Sequence, residues 1–290
     1  MLELKDAPRA TPVVAVTGAN GYVGSLATAG FRQAGFSVRR LVRGGGTGRD
    51  DFAYTLDREV PGAALEGVDT LVHCAYDFTV TQRRQVWATN VLGTQRLIAA
   101  AGSAGVRRSV FISSMSAYPG TRQLYGLAKL AGEAMALSYG MCVVRLGLVY
   151  GPNSGGMAGA LRRLASLPLI PLPGSRCCQY MLHEDDLAHA LPVLARADPP
   201  DRAVGLAHPV PVPISRLLRR QETGRTGRLP VIVPVPWRPV YWAMRAAELT
   251  PVHLPLRADS LLGLVRPAPR VPLTEHLRTL GLELRPFQSC

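Results

Sequence analysis

Tyr125 and Lys129 stand four residues apart in Tyr125-Gly126-Leu127-Ala128-Lys129, a stretch of helical composition that continues to about Tyr139, so both side chains fall on one helix face. Of the 33 basic residues 31 are arginine, and the only lysines are Lys5 and Lys129. Arginine is a planar fork that stays charged, whereas an ammonium is a compact point charge that can lower a neighbouring phenol's pKa. One internal lysine at this spacing points to a tyrosine that exchanges a proton with a substrate. Just upstream, Ser109-Val110-Phe111-Ile112 has strand composition and delivers Ser113 and Ser114 at its carboxyl end, where ligands sit in open parallel sheets.

A second stretch supplies a partner for that chemistry. Val13-Val14-Ala15-Val16-Thr17 is an uncharged, β-branched run that enters Gly18-Ala19-Asn20-Gly21-Tyr22-Val23-Gly24 and then a helix through Ala34. Glycines three apart also mark ordinary turns, but a strand before them and a helix after them describe a dinucleotide loop. Gly18 permits the sharp turn, Gly21 lets backbone N–H groups approach a pyrophosphate, Gly24 permits close packing, and the helix N-terminus adds partial positive charge. Lys129 can then reach ribose hydroxyls. The next strand, Ser37 to Arg43, ends in arginine where an acidic residue would accept from a free ribose hydroxyl, and Arg39, Arg40 and Arg49 lie nearby. Although surface arginine is common here, this pattern favours NADP over NAD.

The elements between these stretches alternate. Val68 to Ala75 is a further buried strand whose end, Cys74-Ala75, belongs beside the cofactor; residues 81–104 are helical in composition, and Cys142 to Val149 reads as one more strand. Residues 52–67 are poorly patterned. The alternation predicts an α/β fold, a doubly wound Rossmann-type parallel sheet over 1–152, with a smaller substrate-binding and lid region over 153–290, parts of which can return to the sheet. Proline becomes frequent in that second half, with helical pieces near 156–167, 184–197, 213–220 and 237–249. Trp237 and Trp242 on the last of these either line a pocket or pack as core.

With 290 residues the chain can bury a full core. The net charge of +13 raises nucleic acid or an acidic membrane as partners, but the arginines are scattered and no block of like charge occurs, so neither is expected. The five cysteines, Cys74, Cys142, Cys177, Cys178 and Cys290, have neither disulfide-framework nor metal-ligand spacing. Met1 to Asp6 carries charge in place of an apolar signal core, and no apolar run is long enough to span a bilayer, which suggests a cytoplasmic protein.

Together these residues resemble the extended branch of the short-chain dehydrogenase/reductases, the group with nucleotide-sugar epimerases and dihydroflavonol-reductase-like enzymes. The resemblance rests on Thr17 to Gly24, Val72 to Ala75, Asn90 with Gly93-Thr94, Ser113-Ser114, Tyr125 with Lys129, Arg145 with Tyr150-Gly151-Pro152, and His183 to Leu187. It implies that Tyr125 is the proton donor or acceptor, Lys129 holds the nicotinamide ribose and Ser114 hydrogen-bonds the substrate oxygen. It also implies a cofactor held by Gly18, Asn20, Gly21, Tyr22, Val23, Gly24, Cys74, Ala75, Asn90 and Lys129, with Arg43 at the 2′-phosphate of NADP. Three departures bear on the substrate. Only ten residues separate Ser114 from Tyr125, Leu148-Val149 replace the asparagine of the nucleotide-sugar branch, and Met115-Ser116 replace the acidic residues of the dehydratases. They point to an NADPH-dependent reductase of a ketone on a hydrophobic small molecule such as a polyketide, acting as monomer or homodimer. A nucleotide-sugar epimerase or dehydratase, and an NADP-sensing regulator without chemistry, are the alternatives.

Overall fold

The computed structural model describes residues 11–174, 177–223, 231–248, 250 and 257–287; Met1 to Asp6 and Cys290 lie outside them. The first half runs β1 (Val13–Thr17), α1 (Tyr22–Gln33), β2 (Ser37–Val42), β3 (Asp51–Ala53), α2 (Gly62–Leu65), β4 (Thr70–His73), α3 (Arg83–Val86), a π-helical turn (Trp87–Val91), α4 (Leu92–Ser103), β5 (Arg108–Ser114), α5 (Leu124–Ser138) and β6 (Cys142–Leu146). The second half adds β7 (Leu148–Tyr150), α6 (Gly156–Ala165), β8 (Leu169–Pro173), β9 (Cys178–Gln179), β10 (Met181–His183), α7 (Glu184–Arg196), β11 (Val204–Leu206), β12 (Val212–Pro213), α8 (Ile214–Thr223), β13 (Val231–Val235), α9 (Trp237–Ala247), α10 (Ala258–Val265) and α11 (Thr274–Thr279).

Seven parallel strands form the central sheet in the order β11-β6-β5-β4-β1-β2-β3, a Rossmann-like arrangement. β1 and β4 carry no charged residue and are buried because both faces of the sheet are covered, with Val14, Ala15, Val16, Leu71 and Val72 fully buried. The strand order reverses between β1 and β4, which opens a crevice at their carboxyl ends. α7 lies against α1 so closely that a Cβ on Gly30 would meet the Ala188 carbonyl oxygen at 2.0 Å. With β11 paired to β6, residues of the second half thus belong to the sheet and its cover.

Three local expectations change. The helix over 81–104 is broken by the π-turn, which holds Asn90. The strand expected from Cys142 to Val149 divides at Gly147, where a Cβ would come 2.5 Å from the Tyr180 carbonyl oxygen, and β7 leaves the sheet to pair with β10. Residues 52–67 contain the end of β3 and one turn of helix, α2. Among the described residues no helix is long and apolar enough to cross a membrane, and no cluster of His, Cys, Asp or Glu could hold a metal ion.

Candidate active site

A cavity of about 1620 Å³ opens over the crevice and is lined by residues from every strand end of the sheet's middle. At one end lies the glycine loop. Gly18 has φ +66°, and a Cβ there would stand 2.9 Å from the Ala75 Cα; a Cβ on Gly24 would come 2.1 Å from the Gly18 carbonyl oxygen. Only glycine at both positions lets the turn fold over the end of β4 and under α1. Gly24 thus packs against the turn itself, not along the strand. The N-terminus of α1 carries no side-chain cap and no acidic residue in its first turn, so its positive end faces the cavity unneutralised. This cradle fits a dinucleotide pyrophosphate. Gly18, Asn20, Gly21, Tyr22, Val23, Gly24, Cys74 and Ala75 all line it.

Of the four arginines singled out around β2, Arg43 alone lines the cavity. It is mostly exposed and reaches Asp77 Oδ1 at 3.4 Å. Arg40 is held by Asp51 at 3.2 Å and by the Asn20 side chain, and Arg39 donates to the Ala63 carbonyl at 3.0 Å.

Deeper in, the pleat of β5 sends its two serines to opposite faces. Ser113 is buried and donates to Glu133 Oε1 at 2.5 Å, while Glu133 also receives Arg145 Nε at 2.8 Å and Nη2 at 2.6 Å. Ser114 accepts from the Ser116 N–H at 3.1 Å, and its hydroxyl acts on the Tyr125 phenol, both side chains lining the cavity. The short connection of ten residues therefore brings Tyr125 to Ser114. Burial pushes the Tyr125 phenol up to about 12, with the Ser114 bond working against that. Lys129, expected to lower it, points elsewhere. Its Nζ donates to the Ile112 carbonyl at 2.7 Å and lies 5.3 Å from the Tyr76 ring centroid and 4.9 Å from that of Phe111, and burial brings it down to about 8.

Asn90 is outside the cavity lining. Its Oδ1 accepts from the Asp77 N–H at 2.6 Å and its Nδ2 donates to the Asp77 carbonyl at 3.1 Å, fixing the loop that carries Cys74 to Phe78. His73 anchors the same loop from below: its ring nitrogens lie 2.7 Å from Thr17 Oγ1 and 2.9 Å from Thr94 Oγ1. Thr17 Oγ1 in turn accepts from the Ala75 N–H at 3.2 Å, and Thr94 Oγ1 donates to the Asn90 carbonyl at 2.7 Å. Full burial brings His73 down to about 3, so the imidazole is neutral. The same burial pushes the Cys74 thiol up to about 12 and keeps it protonated.

The cavity roof was not legible in the sequence. Tyr76 meets Tyr125 edge-on at 4.8 Å and Phe78 stacks on it at 5.6 Å, forming an aromatic wall. α10 contributes Asp259, Ser260, Gly263 and Leu264, followed by Arg266, Pro267 and Ala268. The Asp259 carboxylate accepts from the N–H groups of Leu124 at 2.7 Å and Tyr125 at 3.1 Å, capping α5 from 135 residues away. No local pattern signals a cap at that distance. Trp237 and Trp242 do not line the cavity, and α9 buries no residue, so neither pocket nor core accounts for them.

The family model described as "NAD dependent epimerase/dehydratase family" matches residues 14–203. A ceramide reductase from Caulobacter vibrioides is 28% identical over 199 residues, covering 63% of this chain and 61% of that protein. A putative dihydroflavonol 4-reductase from Synechocystis is 33% identical over 113 residues, 35% of this chain and 32% of that protein. The chain thus spans less than two thirds of the length of these relatives. The solved structure of MoeE5 in complex with UDP-glucose and NAD superposes with a TM-score of 0.70 at 22% identity, covering 95% of this chain and 94% of that one, and supports the fold.

Proposed function

The chain belongs to the NAD-dependent epimerase/dehydratase family, and on that premise we propose that it is an NADPH-dependent reductase of a ketone on an apolar small molecule. The pairing of Tyr125 with Ser114 carries this reading, because it sets a phenol and a hydroxyl together in the lining of the cavity that continues from the glycine cradle. A bound nicotinamide cofactor supplies hydride to the carbonyl carbon. Tyr125, with its phenol near 12, is protonated at neutral pH and so is set to donate, the direction a reduction needs. Its proton passes to the carbonyl oxygen while Ser114 donates a hydrogen bond to that oxygen. Lys129 holds positive charge beneath the site and is the group that would meet the nicotinamide ribose. Arg43 supports NADPH, since its guanidinium is exposed and only loosely paired beside the cradle. The aromatic wall of Tyr76 and Phe78 and the relative named a ceramide reductase favour an apolar substrate.

A second reading, a nucleotide-sugar epimerase, is favoured by Arg163, Arg257 and Arg266 in the cavity lining, which could meet a diphosphate. Incubation with NADPH and a panel of apolar ketones, followed at the nicotinamide absorbance, tests both. Net NADPH consumption that is stronger than with NADH, and a gap narrowed by Arg43→Ala, supports the reductase. Interconversion of UDP-sugars without net NADPH consumption overturns it, and equal affinity for the two cofactors overturns the NADPH assignment.

A further inference from the structure

Among the described residues of the second half, one face of the β8–β13 ribbon is apolar and exposed. β8 and β13 pair in parallel with Leu169 opposite Val231 and Pro171 opposite Val233. Ile170 and Leu172 turn inward to the core, so those four side chains share the outer face. Leu169 is 56% exposed, Val231 59% and the neighbouring Leu167 45%. No charged residue occurs from Leu164 to Pro173 or from Val231 to Trp237. α9 begins one residue after β13, separated from it by Pro236; its Trp242 is 69% exposed, with Arg238 one turn before it and Arg245, paired with Glu248 at 3.0 Å, one turn after it on the same helix face.

A water-facing protein surface rarely gathers large apolar side chains without a partner. The combination here, an apolar ribbon joined to a helix with an exposed tryptophan between arginines, is the chemistry of an interfacial element that seats its aromatic ring among lipid headgroups. Charge supports that occupant over a second copy of the chain. The chain carries a net charge of +13, so two copies would repel where an anionic surface would attract.

We propose that the outer side of the β8–β13 ribbon together with the exposed face of α9 is a docking surface for an anionic lipid bilayer. The surface adjoins the active-site cavity. Trp237 has the Arg266 guanidinium 5.6 Å from its ring centroid, Arg266 lines the cavity, and α9 packs on α10, which roofs it. Docking there places the cavity roof next to the membrane, where an apolar substrate can enter without crossing water. The proposal stands apart from the reaction chemistry, because docking is read without turnover.

Flotation of the full chain with vesicles of phosphatidylcholine alone, or with added phosphatidylglycerol, tests it. The protein should float with the anionic vesicles and less with neutral ones, and the difference between them should shrink as salt is raised. Trp242→Ala should weaken partitioning about tenfold, the order expected when one large aromatic no longer leaves water. The triple variant Leu169→Ser/Val231→Ser/Trp242→Ala should stay in solution with an unchanged melting temperature, since all three side chains are exposed. Absence of flotation with anionic vesicles overturns the proposal. So does unchanged flotation of the triple variant, or a stable dimer that ignores vesicles and dissociates in that variant.

Discussion

Two helix N-termini face the same cavity, and they are treated in opposite ways. At α1 the cap is Gly21, no side chain accepts from the first turn, and no acid lies in it. At α5 the cap is Gln123, again without a side-chain bond and without an acid in the first turn, yet the carboxylate of Asp259 arrives from α10 and takes the N–H groups of Leu124 and Tyr125. The difference divides the cavity electrostatically. An anion is favoured at the α1 end, where the backbone donors are free to receive it, and disfavoured at the α5 end, where the half-buried Asp259 carboxylate already occupies them. The arrangement locks the helix of Tyr125 to the roof.

The largest expected effect lies at the α5 end. Tyr125→Phe should lower single-turnover reduction by roughly 10²–10⁴, the usual contribution of a positioned acid, while cofactor affinity stays unchanged. A rate within a few-fold of the parent protein would mean that the proton comes from water or from the substrate, and that the α5 end positions nothing chemical.

Next comes the α1 end. Gly24→Ala forces a Cβ to within 2.1 Å of the Gly18 carbonyl, an overpacking that typically costs about 1–3 kcal/mol and should weaken cofactor binding by roughly ten- to a hundred-fold. Isothermal titration with NADPH measures it; unaltered affinity would show that the cradle is not where the pyrophosphate sits.

Asp259→Ala should cost about 0.5–2 kcal/mol in chemical denaturation, the range for a lost N-cap, and Asp259→Asn only a few tenths. If alanine and asparagine behave alike, the carboxylate is not acting as a cap and the contrast between the two helix ends fails.

The smallest effect at neutral pH concerns Lys129. Burial lowers it to about 8, so the ammonium is lost as pH rises through that value, and turnover should fall above it by up to about tenfold per unit. Stability should move the other way. Between about 8 and the ordinary lysine value the unfolded chain binds the proton that the folded chain has released, so stability rises with pH across that window. Turnover profiles and melting curves from pH 7 to 10 separate the two trends; a flat turnover profile would remove the ammonium from the mechanism.

Much was legible in the sequence because it depends on neighbours along the chain. Gly18 and Gly24 follow from a turn that must be tight within a few residues, the Tyr125–Lys129 pair from the helical repeat, and the parallel sheet from the alternation of apolar strands with helices. The residues by themselves offered Ser113 and Ser114 together, and only the family resemblance singled out Ser114. What the sequence could not contain were relations between distant residues. Capping preference is local, and by that measure α1 and α5 begin alike; only the fold carries Asp259 to one and leaves the other open. The same holds for Lys129, whose ammonium meets the Ile112 carbonyl and the Tyr76 ring in place of lowering the Tyr125 phenol, and for Asn90, which itself lies outside the cavity lining and holds the backbone of Asp77. Spacing along a helix fixes which face a side chain occupies. Which partner waits on that face, and whether burial or a charge then sets its pKa, is decided by the packing of elements a hundred residues apart.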